Sequence, residues 1–178
     1  ISQFSKLVRT SLNNSDKDLI TLEDEIDFLT TYLNLEQERF RGKLFFEMTS
    51  DDELELDDVM VPPMLVQPFI ENSIVHGIGN KEDKGTINVH FQQVDNSLHC
   101  VITDDGIGRE RARELKQLKV GAYESKGMGL TEVRMEMLTN LHGEGFGAEI
   151  HDLVLPNGDA GGTKVIVKMP IISQWDME

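Results

Sequence analysis

Residues 62–79 read PPMLVQPFIENSIVHGIG, and no other stretch limits the fold as much. Leu65, Phe69, Ile70 and Ile74 keep helical spacing, which predicts one buried helix face. Pro63 suits the first helical position, where its missing N–H costs nothing. Pro68 interrupts the pattern and predicts a bend or a delayed start. Gly77 and Gly79 supply the stop. Glu71 and Asn72 then stand mid-helix, with His76 one turn beyond Asn72 on the same face. A helix this apolar that carries Glu, Asn and His on one side must give them partners.

The rest of the chain can build a core around that helix. Apolar residues make up 39% of the 178, too many for a disordered chain and enough for one domain with a helical extension. A net charge of −15 argues against a nucleic-acid partner, which needs a basic face. It leaves a nucleotide open, since that needs only a local cation and a metal. Cys100 is the single cysteine, so no intramolecular disulfide exists, and its strand-like context predicts an inert buried thiol. No apolar run spans a bilayer and no signal peptide is visible, so direct membrane contact is not expected. The chain enters on a helix-like segment at Ile1, which predicts a piece of a longer protein.

Residues 1–13 read as helix, with Phe4, Leu7, Val8 and Leu12 on one side, and 13–18 as a loop. Thr21 and Asp24 form a variant capping box for a helix over 22–40. Leu22, Ile26, Leu29, Leu33 and Phe40 fit an a/d repeat that Glu36 breaks once, and Phe28, Tyr32 and Leu35 add a second stripe. That double stripe predicts half of a helical bundle completed by another chain. Residues 43–49 read as a strand and 51–58 as an acidic loop. Ile87, Val89 and Phe91 alternate in one strand; Leu98, Cys100 and Ile102 alternate in the next, across a turn at Asp95–Ser97. A helix is expected over 109–118. A second, over 130–141, should turn Val133, Met137 and Leu141 inward. Strands near 147–155 and 163–170 flank PNGDAGG. This order predicts an α+β fold, a two-layer sandwich with helices on one face of a mixed, mostly antiparallel sheet.

Three short motifs carry chemistry. Asn72 offers a hard carbonyl oxygen of the kind Mg²⁺ accepts beside phosphates, and Glu71 can orient or deprotonate an attacking group. Alone, this pair reads as an ordinary polar helix surface. Asp104-Asp105-Gly106-Ile107-Gly108 closes a strand, where a carboxylate can accept from an exocyclic amine and glycines let a flat ring approach. Alone, it reads as an Asp-Gly turn. Gly127-Met128-Gly129 opens a helix and offers unobstructed N–H groups to phosphate, with Lys126 just before it. Alone, two glycines are a hinge. The order and spacing of the three, closed by Gly161-Gly162-Thr163, argue against coincidence.

On these motifs the chain resembles the ATP-binding catalytic domain of sensor histidine kinases. That domain belongs to the Bergerat-fold superfamily, with gyrase, MutL and the heat-shock chaperone ATPase. More narrowly it resembles LytS-type kinases, through TLEDEIDFLTTYLNLEQERF and PPMLVQPFIENSIVHGI, over about residues 7–170. The resemblance implies that Asn72 ligates Mg²⁺ and that Glu71 assists phosphoryl transfer from ATP. It implies that Asp104 holds the adenine amine, with Gly106, Gly108 and His76 shaping the pocket. Residues 109–126 become a mobile lid, hinged at Gly127 and Gly129, and Thr163 supports Asp104 through its hydroxyl or a water. It divides the chain into the end of a dimerisation and phosphotransfer region at 1–41, an ATP-binding domain at 42–172 and a tail at 173–178. The implied parent is a homodimeric membrane sensor with this part in the cytoplasm, and its partner is a response-regulator receiver domain.

The chain departs from the family at three positions. Val75 stands where a Lys or Arg is usual, Glu132 where Asn is common, and Glu136 where a later Arg is; Arg134 matches. Nucleotide affinity below the family's is therefore expected, with Lys126 or Arg109 as substitute cations. The five histidines are His76, His90, His99, His142 and His151; none has a phosphoacceptor context, and they form no metal set. His90 and His99 are expected to face each other across their hairpin. Two other functions fit the motifs: an ATP hydrolase using Glu71 on water, or a non-catalytic nucleotide-sensing or dimerisation module.

Overall fold

The computed structural model describes residues 2–118 and 127–177. Helix α1 (Gln3–Ser15) is capped by Ser2, whose hydroxyl accepts from the Ser5 N–H at 3.3 Å. It runs past the expected loop start at 13 and leaves Phe4, Val8 and Leu12 exposed. Strand β1 (Ile20–Thr21) leads into α2 (Leu22–Arg39). The Thr21 hydroxyl accepts from the Asp24 N–H at 3.1 Å, and three carboxylates in the first turn suit the helix dipole. Leu22, Phe28, Leu29 and Leu33 are buried in this chain's own core, against β2 (Leu44–Ser50) and β3 (Val59–Val61). The expectation of an intermolecular bundle on α2 is thereby corrected. A stripe periodicity says that a face is buried, not which chain buries it.

The central helix begins later than its prolines suggest. Helix α3 spans Gln67–Asn72, and Pro68, not Pro63, lies in its first turn. Residues 62–66 stay outside because Met64 takes a left-handed φ of 56°. From Ser73 to Ile78 the winding widens to π, as in the 2.7 Å bond from the Gly79 N–H to the Ile74 carbonyl.

The main sheet adds β4 (Gly85–Val94), β5 (Ser97–Asp104), β6 (Gly147–Val154) and β7 (Ala160–Pro170). Its order is β2-β4-β5-β7-β6, with β2 parallel to β4 and every other pair antiparallel. Ile87, Val89, Phe91, Leu98, Cys100, Ile102, Val165 and Val167 turn to one face and are buried under the helices. This is the expected α+β sandwich. The Cys100 thiol is pushed up by burial, as an inert thiol should be. The register sets His90 opposite Val101 and His99 opposite Gln92, so the two histidines are not cross-strand neighbours. His90 instead bonds Thr49 Oγ1 at 2.8 Å.

A small antiparallel sheet of β1, β3 and β8 (Ile172–Ser173) was not legible in the sequence. The Ser173 hydroxyl donates to Asp58 at 2.8 Å, tying the last strand to the acidic segment. Helix α4 spans Arg109–Leu118 as expected, and α5 spans Gly127–His142. The inward face of α5 is Thr131, Met135 and Leu138, while Val133, Met137 and Leu141 are exposed. Apolar residues stand almost all round α5, so their period does not select one face.

Candidate functional site

Where β5 ends, the widened turn of the central helix, α4 and the β6–β7 edge enclose a cavity of about 360 Å³. Asn72, Ser73, His76 and Gly77 form one wall. Phe69, Ile150 and Val165 add apolar surface. Thr163 and Gly108 complete the lining around Asp104.

Asp104 is 2% exposed, and each of its oxygens has a donor while keeping capacity for another. The Ser73 hydroxyl donates to Oδ2 at 2.8 Å, and the Gly106 N–H donates to Oδ1 at 2.9 Å. The Thr163 backbone bonds the same carboxylate. Burial pushes this carboxyl above its ordinary value, and those bonds pull it back. Asp105 turns the other way, accepting from the Thr86 N–H at 2.8 Å and from Lys81 at 3.2 Å.

Glycines let the backbones close around Asp104. A Cβ on Gly106 would sit 2.5 Å from the Gly77 Cα, and one on Gly162, at φ 108°, 1.9 Å from the Asp104 carbonyl oxygen. No side chain fits in either place.

The electrostatics come from α4. Arg109, Arg113 and Lys116 lie four and then three residues apart on the cavity side of that helix, a concentration of cations on a strongly acidic chain. Arg109 also grips Asp152 through two bonds of 2.7 Å. Burial, then the charge of Lys116, hold His76 below its ordinary value, so its ring faces the cavity neutral at pH 7. Val75 is exposed and off this wall.

The expected site residues are only partly brought together. Asn72, His76, Asp104, Gly108 and Thr163 line the cavity, with Gly106 packed behind Asp104. Glu71 does not line it. Its carboxylate accepts from Gln67 Nε2 at 2.7 Å and faces α2, where burial, Glu36 and Glu71 together push the Tyr32 hydroxyl up. Gly127 and Gly129 lie in the first turn of α5, and a Cβ on Gly129 meets open space. Of the expected lid at 109–126, residues 109–118 form α4, while 119–126, Lys126 among them, lie outside the described residues. Sequence reasoning missed Ser73, Gly77, Arg113 and Lys116. The 109-113-116 spacing was the available signal for the two cations.

The family model described as "Histidine kinase-, DNA gyrase B-, and HSP90-like ATPase" matches residues 62–173. The chain belongs to this family. A second, "Histidine kinase", matches residues 1–44. The Sensor protein LytS of Oceanobacillus iheyensis is 31% identical over 145 residues, 80% of this chain and 24% of that protein. The Enterococcus faecalis Sensor protein LytS is 29% identical over 171 residues, 95% of this chain and 28% of that protein. The chain thus spans about a quarter of the length of the curated relatives it matches. The solved histidine kinase domain of the Erythrobacter litoralis EL346 blue-light activated kinase aligns with a TM-score of 0.56 at 16% identity, covering 96% of this chain and 76% of that one. The catalytic domain of histidine kinase ThkA aligns at 0.55 and 15%, covering 88% and 97%. These likenesses show the fold. With the family match, the chain is similar over most of its length to one part of the LytS sensor proteins.

Proposed function

We propose that the cavity holds Mg·ATP and presents its γ-phosphoryl to a histidine outside this chain, from which it passes to a response-regulator aspartate. The observation that carries this reading is Asp104: a buried, backbone-fixed carboxylate lining a hollow that three cations of α4 also line. It accepts from the adenine amine, and the close Gly77–Gly106 backbones and the walls of Phe69, Ile150 and Val165 take the flat ring. Arg113, Lys116 and Arg109 meet the phosphates in place of the cation lost at Val75. The N–H groups of Gly127 and Gly129, in the first turn of α5, meet them too, and Lys126, the residue before Gly127 in the chain, is assigned the same role from the sequence alone.

Asn72 is the proposed Mg²⁺ ligand. One amide oxygen fits, because magnesium bound through phosphates keeps waters and needs few protein groups. Among the described residues no cluster of three or more acidic or histidine side chains offers a self-sufficient cage. When bound, the ion neutralises phosphate charge. Glu71, beside Asn72 in the chain, is assigned the orienting of the accepting group, a role that requires its side chain to leave Gln67 and swing from α2 toward the cavity. Thr163 holds Asp104 through its backbone. Catalysis of this kind is positioning plus charge neutralisation, which suits so sparse a set.

The parent is proposed to be a homodimeric membrane sensor, divided here at 1–41, 42–172 and 173–178. The exposed face of Phe4, Val8 and Leu12 on α1, inside the stretch that the histidine kinase model matches, supports the pairing. No described helix is long and apolar enough to cross a membrane. A structure of ThkA in complex with the response regulator TrrA, aligned at TM-score 0.51, supports that partner class. The test is incubation with γ-labelled ATP. This chain should bind nucleotide without acquiring acid-labile label, and should label a supplied fragment carrying the parent's upstream histidine. Stable labelling at a histidine of this chain contradicts the reading.

A further inference from the structure

Among the described residues, three that are not glycine take a left-handed φ: Arg41, Met64 and Asp95. Asp95 sits in a hairpin turn and Arg41 in a turn before Gly42, where such backbone is ordinary. Met64 also lies in a turn, directly after Pro63, but it is a bulky side chain where such a turn favours Gly or Asn. It lies three residues before α3, the helix that carries Asn72 to the cavity wall.

Side chains from distant elements hold the peptides on both sides of Met64. Its N–H donates to Glu25 Oε2 on α2 at 3.1 Å. Its carbonyl accepts from Arg134 Nη1 on α5 at 3.2 Å, and the Pro63 carbonyl accepts from Arg134 Nη2. The Ser11 hydroxyl of α1 reaches Met64 Sδ at 3.6 Å. Glu25 is 1% exposed and its Oε1 has no partner. A half-satisfied buried carboxylate is a poor choice for stability, since an apolar side chain of that size would avoid the desolvation cost. Its use at this point indicates a role beyond packing.

We propose that Glu25 and Arg134 are positioning residues that clamp Met64 in its left-handed conformation and thereby set where the Asn72-bearing helix begins. They tie α2, which leads in from the N-terminal helix, and α5, whose first turn holds Gly127 and Gly129, to one residue of positive φ at the edge of the nucleotide wall. The functional consequence rests on nucleotide binding in the cavity; the clamp itself does not.

The test is a double-mutant cycle on this chain with Glu25→Ala and Met64→Gly, using two readouts. One is hydrogen exchange over residues 67–78; the other is Mg·ADP affinity by calorimetry. In the Met64 background, Glu25→Ala should speed exchange and weaken Mg·ADP by about five- to tenfold, the shift expected when a strained non-glycine conformer loses its support. In the Met64→Gly background the same change should move both by less than about twofold, because glycine holds positive φ unaided. Equal effects in both backgrounds would mean a merely structural role and overturn the proposal, as would no effect in either. If Glu25→Ala does not fold, the cycle runs with Arg134→Gln from the α5 side and the same outcomes decide. A wild-type chain that fails to bind Mg·ADP would refute the nucleotide reading, while the exchange cycle would still decide the clamp.

Discussion

Glu25 makes a prediction whose size follows from its burial. Its carboxyl is raised from 4.5 to about 7, mainly by desolvation, with the Met64 N–H and Arg134 pulling the other way. The Cys100 thiol also lies within reach of its charge. In the unfolded chain Glu25 loses its proton near pH 4.5; in the folded protein it keeps it to about 7. The unfolded state therefore binds fewer protons across this window, so stability contributed by this group falls as pH rises through it and is flat above. The gap corresponds to about 3 kcal/mol at full ionisation, of which about 2–3 kcal/mol develops between pH 5 and pH 8. Glu25→Gln removes the titration yet leaves an oxygen for the Met64 N–H. Other carboxylates titrate alike in both proteins and cancel in the difference. Urea unfolding of both proteins at pH 5 and pH 8 should show Glu25→Gln gaining about 2–3 kcal/mol on the wild type over that interval, or about 5–10 °C in melting temperature. Stability curves that run parallel across the two pH values would refute the reasoning.

Gly106→Ala should lower stability by about 1–3 kcal/mol, because the new methyl meets Gly77 backbone at 2.5 Å, and Gly162→Ala by more. Gly129→Ala, with open space at its Cβ, should leave the melting temperature unchanged or slightly raised. Lys116→Ala should weaken Mg·ATP about three- to tenfold while leaving adenosine binding within about twofold, since it removes a charge partner for phosphate only. The same variant should raise the His76 pKa toward its ordinary value without fully restoring it, because burial remains the larger cause. A His76 titration by NMR that does not move would contradict the placement of Lys116.

Much of this was legible in the sequence where one residue decides one contact. Alternation in 87–91 and 98–102 read correctly because a strand has two faces and only one is buried. The Thr21 cap read correctly because its partner is three residues away. The start of α3 did not, because it depends on Met64, whose conformation is held by Glu25 and Arg134, 39 and 70 residues distant. The face of α5 and the partner of the α2 stripe failed for a related reason: periodicity marks an apolar side without naming what covers it. The strands β1, β3 and β8 are two or three residues long, too short to carry a period. Glu71 was expected at the cavity from its neighbour Asn72, but adjacent helical residues point about 100° apart, and Glu71 turns toward α2.

Calorimetric titration of the wild type and Asp104→Asn with Mg·ATP and Mg·GTP bears most directly on the adenine site. If Asp104 receives the adenine amine, the wild type binds Mg·ATP well ahead of Mg·GTP, whose ring offers a carbonyl to that carboxylate. Asp104→Asn should then weaken Mg·ATP by about 10- to 100-fold, the loss expected for a hydrogen bond to a buried charge. Equal affinity for the two nucleotides, or an Asp104→Asn variant that binds Mg·ATP as the wild type does, would contradict the account.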